Sequence, residues 1–243
     1  MTPEPAKLCL GCWQNLHVPV ALRGPFSVPF RVFGIKPSRM NPNTCTICEM
    51  AFSKIMKARA VTIDATIMFA DLRGYTTLTQ TVGQAGLSKL LDTFYDDCAD
   101  AIWRYDGLLN KTIGDAVLAI FNFPVKQDDH PVQALLAARA IQQRFAERRD
   151  ALLEAIGTRD AELGIGIGID CGDTNFGEFG RSHRDLTAIG TVVNRAARAQ
   201  AAARSGEILV TSAVRERSAG MVSGEGRDFS LKGFEQPVTL FAA

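Results

Sequence analysis

Four of the six cysteines crowd into the first fifth of the chain as two pairs, Cys9-x2-Cys12 and Cys45-x2-Cys48, with 32 residues between the pairs. The x2 gap lets both sulfurs of a pair face one point, and thiolates suit a tetrahedral metal centre. A chain that brings two such pairs together must fold its N-terminal stretch as a unit with its own geometry. Between the pairs, Pro19, Pro25, Pro29, Pro37 and Pro42 with Gly24 and Gly34 leave room for short strands or loops and for no long helix. The second pair opens an amphipathic run, Cys48-Glu49-Met50-Ala51-Phe52-Ser53-Lys54-Ile55-Met56, which predicts a helix.

A knuckle followed by a Cys-x2-Cys at a helix start resembles a treble-clef zinc module. Structural zinc, an iron–sulfur cluster, and a redox dithiol or free thiols are the three readings of Cys9, Cys12, Cys45 and Cys48. His17 is a further candidate ligand, but four thiolates suffice and a surface histidine is expected. Cys98 and Cys171 stand alone and are expected to be buried packing residues.

The start, Met1-Thr2-Pro3-Glu4-Pro5, has neither a basic nor an apolar leader region, and charges or prolines interrupt every apolar run well short of the roughly 20 residues a membrane span needs. A soluble, cytoplasmic protein without a membrane span is therefore expected, and disulfides are disfavoured. The 243 residues carry 27 basic against 26 acidic side chains with 47% hydrophobic content, which excludes a disordered chain and gives no electrostatic footprint for nucleic acid.

Val61-Thr62-Ile63-Asp64-Ala65-Thr66-Ile67-Met68-Phe69-Ala70 alternates apolar and polar residues before turning fully apolar, so a strand begins near residue 61. The division expected is a small module with the four paired cysteines over 1–58 and a larger domain over 59–243. Beyond the first strand, the pattern predicts a helical stretch over 76–105 broken near Gly83 and Gly86. A hairpin of strands 107–113 and 116–122 and a helix over 129–149 follow. A second sheet section over 162–180, a helix over 191–204, a strand over 207–211, a short helix and closing strands to 242 complete the chain. This is an α+β or α/β arrangement with helices on a mixed sheet.

Three segments carry chemistry. Phe69-Ala70-Asp71-Leu72-Arg73-Gly74-Tyr75-Thr76 puts an acid where a buried strand runs out, followed by a turn and a helix start. Alone, that Asp reads equally as a helix cap. Asn110-Lys111-Thr112-Ile113-Gly114-Asp115-Ala116 places Asp115 at a hairpin apex. If the hairpin lies beside the first strand, Asp71 and Asp115 converge, and two carboxylates in contact repel unless cations lie between them. In Arg184-Asp185-Leu186-Thr187-Ala188-Ile189-Gly190-Thr191-Val192-Val193-Asn194-Arg195-Ala196-Ala197-Arg198, Asn194 and Arg198 are four apart on a predicted helix and share one face. By itself that face reads equally as solvated surface.

Together, in order and at suitable separations, the motifs Phe-Ala-Asp-x-x-Gly-Tyr-Thr, Lys-Thr-Ile-Gly-Asp and Thr-Ala-Ile-Gly-x-x-Val-Asn-x-Ala-Ala-Arg resemble the class III nucleotidyl cyclase catalytic domain from about residue 61 to 241. The resemblance implies an α+β fold with a ferredoxin-like βαββαβ core, dimerising head to tail with catalysis in the interface. It implies that Asp71 and Asp115, with the Leu72 carbonyl, hold two Mg²⁺ or Mn²⁺ ions. It further implies that Asn194 orients the ribose, that Arg198 stabilises charge on the α-phosphate, and that Lys232 in Leu231-Lys232-Gly233 holds the triphosphate.

For the base, the resemblance implies that Lys111 donates to a ring nitrogen of adenine and that Thr187 accepts from its 6-amino group, whereas guanine readers carry an acid at the first position. ATP is thus the expected substrate, cyclic AMP and pyrophosphate the products, and bicarbonate an implied effector. Asp185 is the alternative second reader if the register shifts by two. Gly168-Ile169-Asp170-Cys171-Gly172 departs from the family pattern, where a His commonly precedes a small residue and Gly, and this questions the packing of that strand. The competing expectations are a non-catalytic nucleotide-binding domain of the same fold and, with a different base register, a guanylate cyclase. A diguanylate cyclase would need a Gly-Gly-Asp/Glu-Glu-Phe hairpin, and Thr112-Ile113-Gly114-Asp115-Ala116 is not one.

Overall fold

The computed structural model describes residues 6–58, 60–158, 162–179 and 185–243; residues 1–5, Arg184 and the Asp185 side chain lie outside the described residues. The N-terminal part holds α1 (Leu10–Leu16), a 3-10 turn (Pro25–Ser27), α2 (Val28–Val32) and α3 (Thr46–Ala58). Both cysteine pairs sit at helix starts. Cys9 is the N-cap of α1 and its sulfur accepts from the Cys12 amide, while Cys45 immediately precedes α3. The first pair therefore opens a helix where a knuckle is expected, because the Cys9 thiol itself satisfies an unpaired amide of the first turn.

The larger part begins with β1 (Val61–Arg73), then α4 (Tyr75–Leu78), α5 (Gln84–Arg104), β2 (Leu108–Ile113), β3 (Ala116–Phe121) and α6 (His130–Ala155). It continues with β4 (Gly164–Phe179), β5 (Asp185–Ile189), α7 (Thr191–Ala202), β6 (Ile208–Thr211), α8 (Ser212–Glu216), β7 (Gly226–Phe229) and β8 (Val238–Ala242). The expected break at Gly83 is present as the N-cap of α5, but α5 runs straight through Gly86. A Cβ at Gly86 would come within 2.7 Å of Val82 Cγ1 and 3.3 Å of Ile156 Cβ, so this glycine serves close packing and not termination.

The strands form one sheet in the order β2-β3-β1-β4-β6-β8-β7, with β5 added to β4. Its first four strands, all antiparallel to their neighbours, are the ferredoxin-like core. One face packs through Met68, Phe94, Ile102, Phe121, Leu135 and Ile141 against α5 and α6. The other packs through Ile67, Leu118, Ile120, Phe176, Val192 and Ala196 against α7, with Met40 of the N-terminal part beside it. Helix α7 lies directly on β4, where a Cβ at Gly168 would sit 2.0 Å from the Gln200 amide nitrogen and 2.3 Å from the Ala196 carbonyl. Only glycine admits that approach, which sets the height of α7 above the sheet.

Asp170, in the strand that departs from the family pattern, is wholly buried in β4 and well satisfied. It accepts from Arg195 Nε at 2.7 Å, Thr211 Oγ1 at 2.6 Å and the Cys171 amide at 2.9 Å. Cys98 and Cys171 are both buried, as expected. No helix among the described residues is long and apolar enough to cross a membrane.

Candidate active site

The antiparallel register of β1 and β3 pairs Asp71 with Ala116, so Asp115, one residue before Ala116, comes to the same end of the sheet. A backbone hydrogen bond from the Leu72 amide to the Asp115 carbonyl, 3.1 Å, joins the two segments there. The Tyr95 hydroxyl of α5 donates to the Gly114 carbonyl and clamps the hairpin turn from the helix side. Burial pushes the Asp71 carboxyl above its ordinary pKa, and the charge of Asp115 adds to the rise. Two acids in mutual repulsion at a half-buried position suit a divalent cation.

Asp71 does not cap the following helix; Gly74 occupies the N-cap of α4. Its Oδ2 accepts from Gln200 Nε2 at 2.9 Å and from Arg73 Nη1 at 3.4 Å, and Arg73 also donates to the Gln200 carbonyl. Arg73 Nε is buried with no partner among the described residues. Arg73 and Gln200 were not among the expected site residues. Gln200 lies 129 positions from Asp71, and nothing local marks it.

Lys111 sits half-buried on β2 opposite Leu118, and Thr187 half-buried on β5 opposite Gly177. Asn110, the residue before Lys111 on β2, reaches β5: its Oδ1 accepts from Thr187 Oγ1 at 3.1 Å and its Nδ2 donates to the Leu186 carbonyl at 2.8 Å. Asn110 too is a site residue that the motifs do not mark, and its place beside Lys111 in the hairpin strand is the one local signal for it. Asn194 and Arg198 are exposed on α7, and Lys232 is exposed in the turn after buried Leu231. The structure thus brings Asp71 and Asp115 to one end of the sheet and ties Thr187 to Asn110, the residue before Lys111, and leaves Asn194, Arg198 and Lys232 at the surface.

The four N-terminal cysteines are buried, and their sulfurs all lie within 4.8 Å of one another. Sγ separations are 3.6 Å for Cys9 and Cys48, 3.5 Å for Cys12 and Cys45, and 3.3 Å for Cys12 and Cys48. Burial pushes the Cys12 thiol up to about 12, and hydrogen bonding to Cys45 raises Cys48, while hydrogen bonds from Cys48 and Cys9 bring Cys45 down to about 2. Thiols this close cannot all ionise unaided, and a bound cation supplies the missing charge. The cluster can therefore hold a metal.

The N-terminal part is tied to the hairpin strand that carries Lys111. The Met40 carbonyl accepts from the Leu109 amide at 3.1 Å and from Trp103 Nε1 at 2.8 Å. Asn41 Nδ2 reaches the Asp106 and Gly107 carbonyls, both at 3.2 Å, and Asn43 Nδ2 donates to Asp106 Oδ1 at 2.6 Å. Phe52 of α3 packs edge-on against Phe123, which in turn meets Phe176 of β4.

A βαββαβ sheet with one acid at the end of β1 and another on the adjoining hairpin is the architecture of a nucleotide cyclase catalytic domain. The profile of the family described as Adenylate and Guanylate cyclase catalytic domain matches residues 57–241, and the chain belongs to that family. Among solved structures, it is similar to the adenylyl cyclase CyaB from P. aeruginosa, with 27% identity and a TM-score of 0.71, covering 76% of this chain and 95% of that one. It is also similar to the guanylyl cyclase Cya2, with 25% identity and a TM-score of 0.69, covering 75% and 92%. An uncharacterized protein of Mycobacterium tuberculosis is 33% identical over 185 residues, 72% of this chain and 32% of that protein. The chain spans about a third of the length of the curated relatives it matches. One structural neighbour is an adenylyl and the other a guanylyl cyclase, so the choice of purine rests on the site residues themselves.

Proposed function

We propose that this chain is an adenylate cyclase that converts ATP to 3′,5′-cyclic AMP and pyrophosphate at a site shared by two copies in a head-to-tail homodimer. The observation that favours adenine is the hydrogen bond from Thr187 to Asn110, the residue before Lys111, which ties the strand that carries the expected base-reading cation to the strand that carries the expected base-reading hydroxyl. In this reading Lys111 donates to a ring nitrogen of adenine and Thr187 accepts from the 6-amino group.

Asp71, Asp115 and the Leu72 carbonyl would hold two Mg²⁺ or Mn²⁺ ions, which when bound acidify the ribose 3′-hydroxyl and neutralise the triphosphate and the leaving pyrophosphate. Asn194 orients the ribose so that its 3′-oxygen faces the α-phosphorus. The new bond forms there as the bond to the bridging oxygen of pyrophosphate breaks, and the 3′-hydroxyl proton leaves to solvent. Arg198 stabilises the charge that gathers on the α-phosphate, and Lys232 holds the triphosphate. Asn194 and Arg198 are exposed in the single chain, which suits side chains that complete the site of a second copy.

Residues 1–58 act as a metal-binding module that regulates the catalytic domain over 59–243. Four thiolates around one zinc at about 2.3 Å would lie about 3.8 Å apart, in keeping with sulfurs that all lie within 4.8 Å of one another, three of the six pairs at 3.3–3.6 Å, whereas a cluster spreads its thiolates over several irons. Incubating the purified chain with ATP or GTP plus Mn²⁺ and reading the product by mass tests the central claim. Cyclic AMP from ATP is expected; cyclic GMP alone, or no product, overturns it.

A further inference from the structure

We infer that Asn110 is a specificity-determining positioning residue, which turns the Thr187 hydroxyl into a one-way acceptor and so enforces a purine that carries an amino group at position six. The inference rests on the reading of Thr187 as a base contact and extends it.

A threonine hydroxyl has one hydrogen to donate and two lone pairs to accept with, so by itself it pairs with either a 6-amino or a 6-oxo group. Its orientation must be imposed by a neighbour. Here the Leu186 carbonyl can only accept, so the amide nitrogen of Asn110 faces it at 2.8 Å. The other end of the same amide, Oδ1, is thereby turned to Thr187 Oγ1 at 3.1 Å, and an amide oxygen can only accept. Thr187 must spend its single hydrogen on Asn110. What remains on its oxygen is lone pairs, which attract an amino hydrogen and repel a carbonyl oxygen.

The backbone explains why Asn110 is available for this. Leu109 pairs with Ala119 and Lys111 with Leu118, so the register between β2 and β3 slips at Asn110 and leaves it as the extra residue of a bulge. Such bulges re-aim a side chain. Here the side chain is aimed at β5, which pairs with β4 and not with β2, so the contact is made by the side chain and not by the strand ladder. The Met40 carbonyl holds the preceding amide, Leu109, at 3.1 Å, which anchors the bulge from the N-terminal part.

The test compares ATP with inosine triphosphate, which carries a 6-oxo group and an N1 hydrogen but lacks the 2-amino group of guanine. The ratio of kcat/KM for the two is measured in the full chain, in Asn110→Ala, in Asn110→Asp and in Thr187→Val, and dissociation constants for both nucleotides carry the same comparison without turnover. Damage to the fold lowers both substrates alike and leaves the ratio unmoved. In Asn110→Ala the freed hydroxyl rotates and donates to the 6-oxo group, so the preference for ATP is expected to fall about ten-fold. Asn110→Asp keeps an acceptor facing Thr187 and should retain more of that preference than Asn110→Ala. A ratio that stays within about two-fold of the parent in Asn110→Ala, while Thr187→Val shifts it, overturns the role of Asn110 and leaves Thr187 as a base reader. A ratio unmoved in Thr187→Val as well overturns both readings together.

Discussion

Arg195, which lies between Asn194 and Arg198 on α7, donates through Nε to the buried carboxylate of Asp170 at 2.7 Å. Asp170 is on β4, beneath the helix, and Thr211 and the Cys171 amide complete its shell. The pair therefore fixes the roll of α7, and with it the face that carries the two exposed residues of the candidate site. Removing Asp170 leaves the partly buried guanidinium and the Thr211 hydroxyl without their acceptor. Asp170→Ala is expected to cost about 3 kcal/mol in urea unfolding, and to lower turnover at temperatures where the variant is still folded.

A pH dependence follows from His130, which is almost fully buried at the start of α6. Arg217 Nη2 lies 2.7 Å from His130 Nε2, and Arg only donates, so Nε2 accepts and Nδ1 carries the hydrogen toward Thr66 Oγ1 at 2.7 Å. Burial lowers the pKa of this imidazole below its ordinary value, although Asp64 pulls the other way. The folded state then binds fewer protons than the unfolded chain. Its contribution to stability is present above the unfolded pKa of about 6.5 and is lost as pH falls below it toward the folded value. Stability from thermal unfolding should fall as the pH is lowered from about 7.5 to about 5.5, most steeply below about 6.5 and by no more than the one-proton limit of about 1.4 kcal/mol per pH unit, and His130→Gln should flatten that fall; an unchanged slope would show that His130 is not its source.

The shared-site reading makes a prediction that no monomeric enzyme can meet. Asp71→Ala and Asn194→Ala should each abolish turnover. Mixed under subunit exchange, they form dimers in which one site carries both lesions and the other none. With random pairing half the dimers are mixed and half their sites work, so recovery should reach roughly a quarter of the parent activity. Silence after exchange has been verified by mass would exclude a site built from two copies.

For the N-terminal cysteines, elemental analysis should find about one zinc per chain, and a strong chelator should loosen this module before the catalytic sheet melts. Trp103, one of two tryptophans, reports on it directly, because its indole nitrogen donates to the Met40 carbonyl. A shift in its fluorescence on chelation is expected. Iron with visible absorbance would replace zinc by a cluster, and the absence of any metal would leave a set of thiols.

The sequence by itself determined the elements and the three motifs, because each is local. Period-two and period-3.6 patterns, a Gly-Asp turn and a four-residue helical spacing act over a few residues, and most strands and helices from β1 on lie where those patterns place them; β5, which exists through its pairing with β4, and the short helices α1 and α2 do not. The convergence of Asp71 and Asp115 was legible for the same reason: once β3 pairs with β1, the register leaves one arrangement. The tertiary structure alone decided the partners of single polar side chains. Gln200 on Asp71 and Arg195 on Asp170 span 129 and 25 positions, and Asn110 reaches Thr187 across 77. Gly86 shows the same limit, since its place inside α5 answers to Ile156. A lone Asn, Gln or Gly reads in a sequence as solvated surface or a break in structure. Its hydrogen bonds or close contacts are chosen only when packing removes water and brings one neighbour within reach.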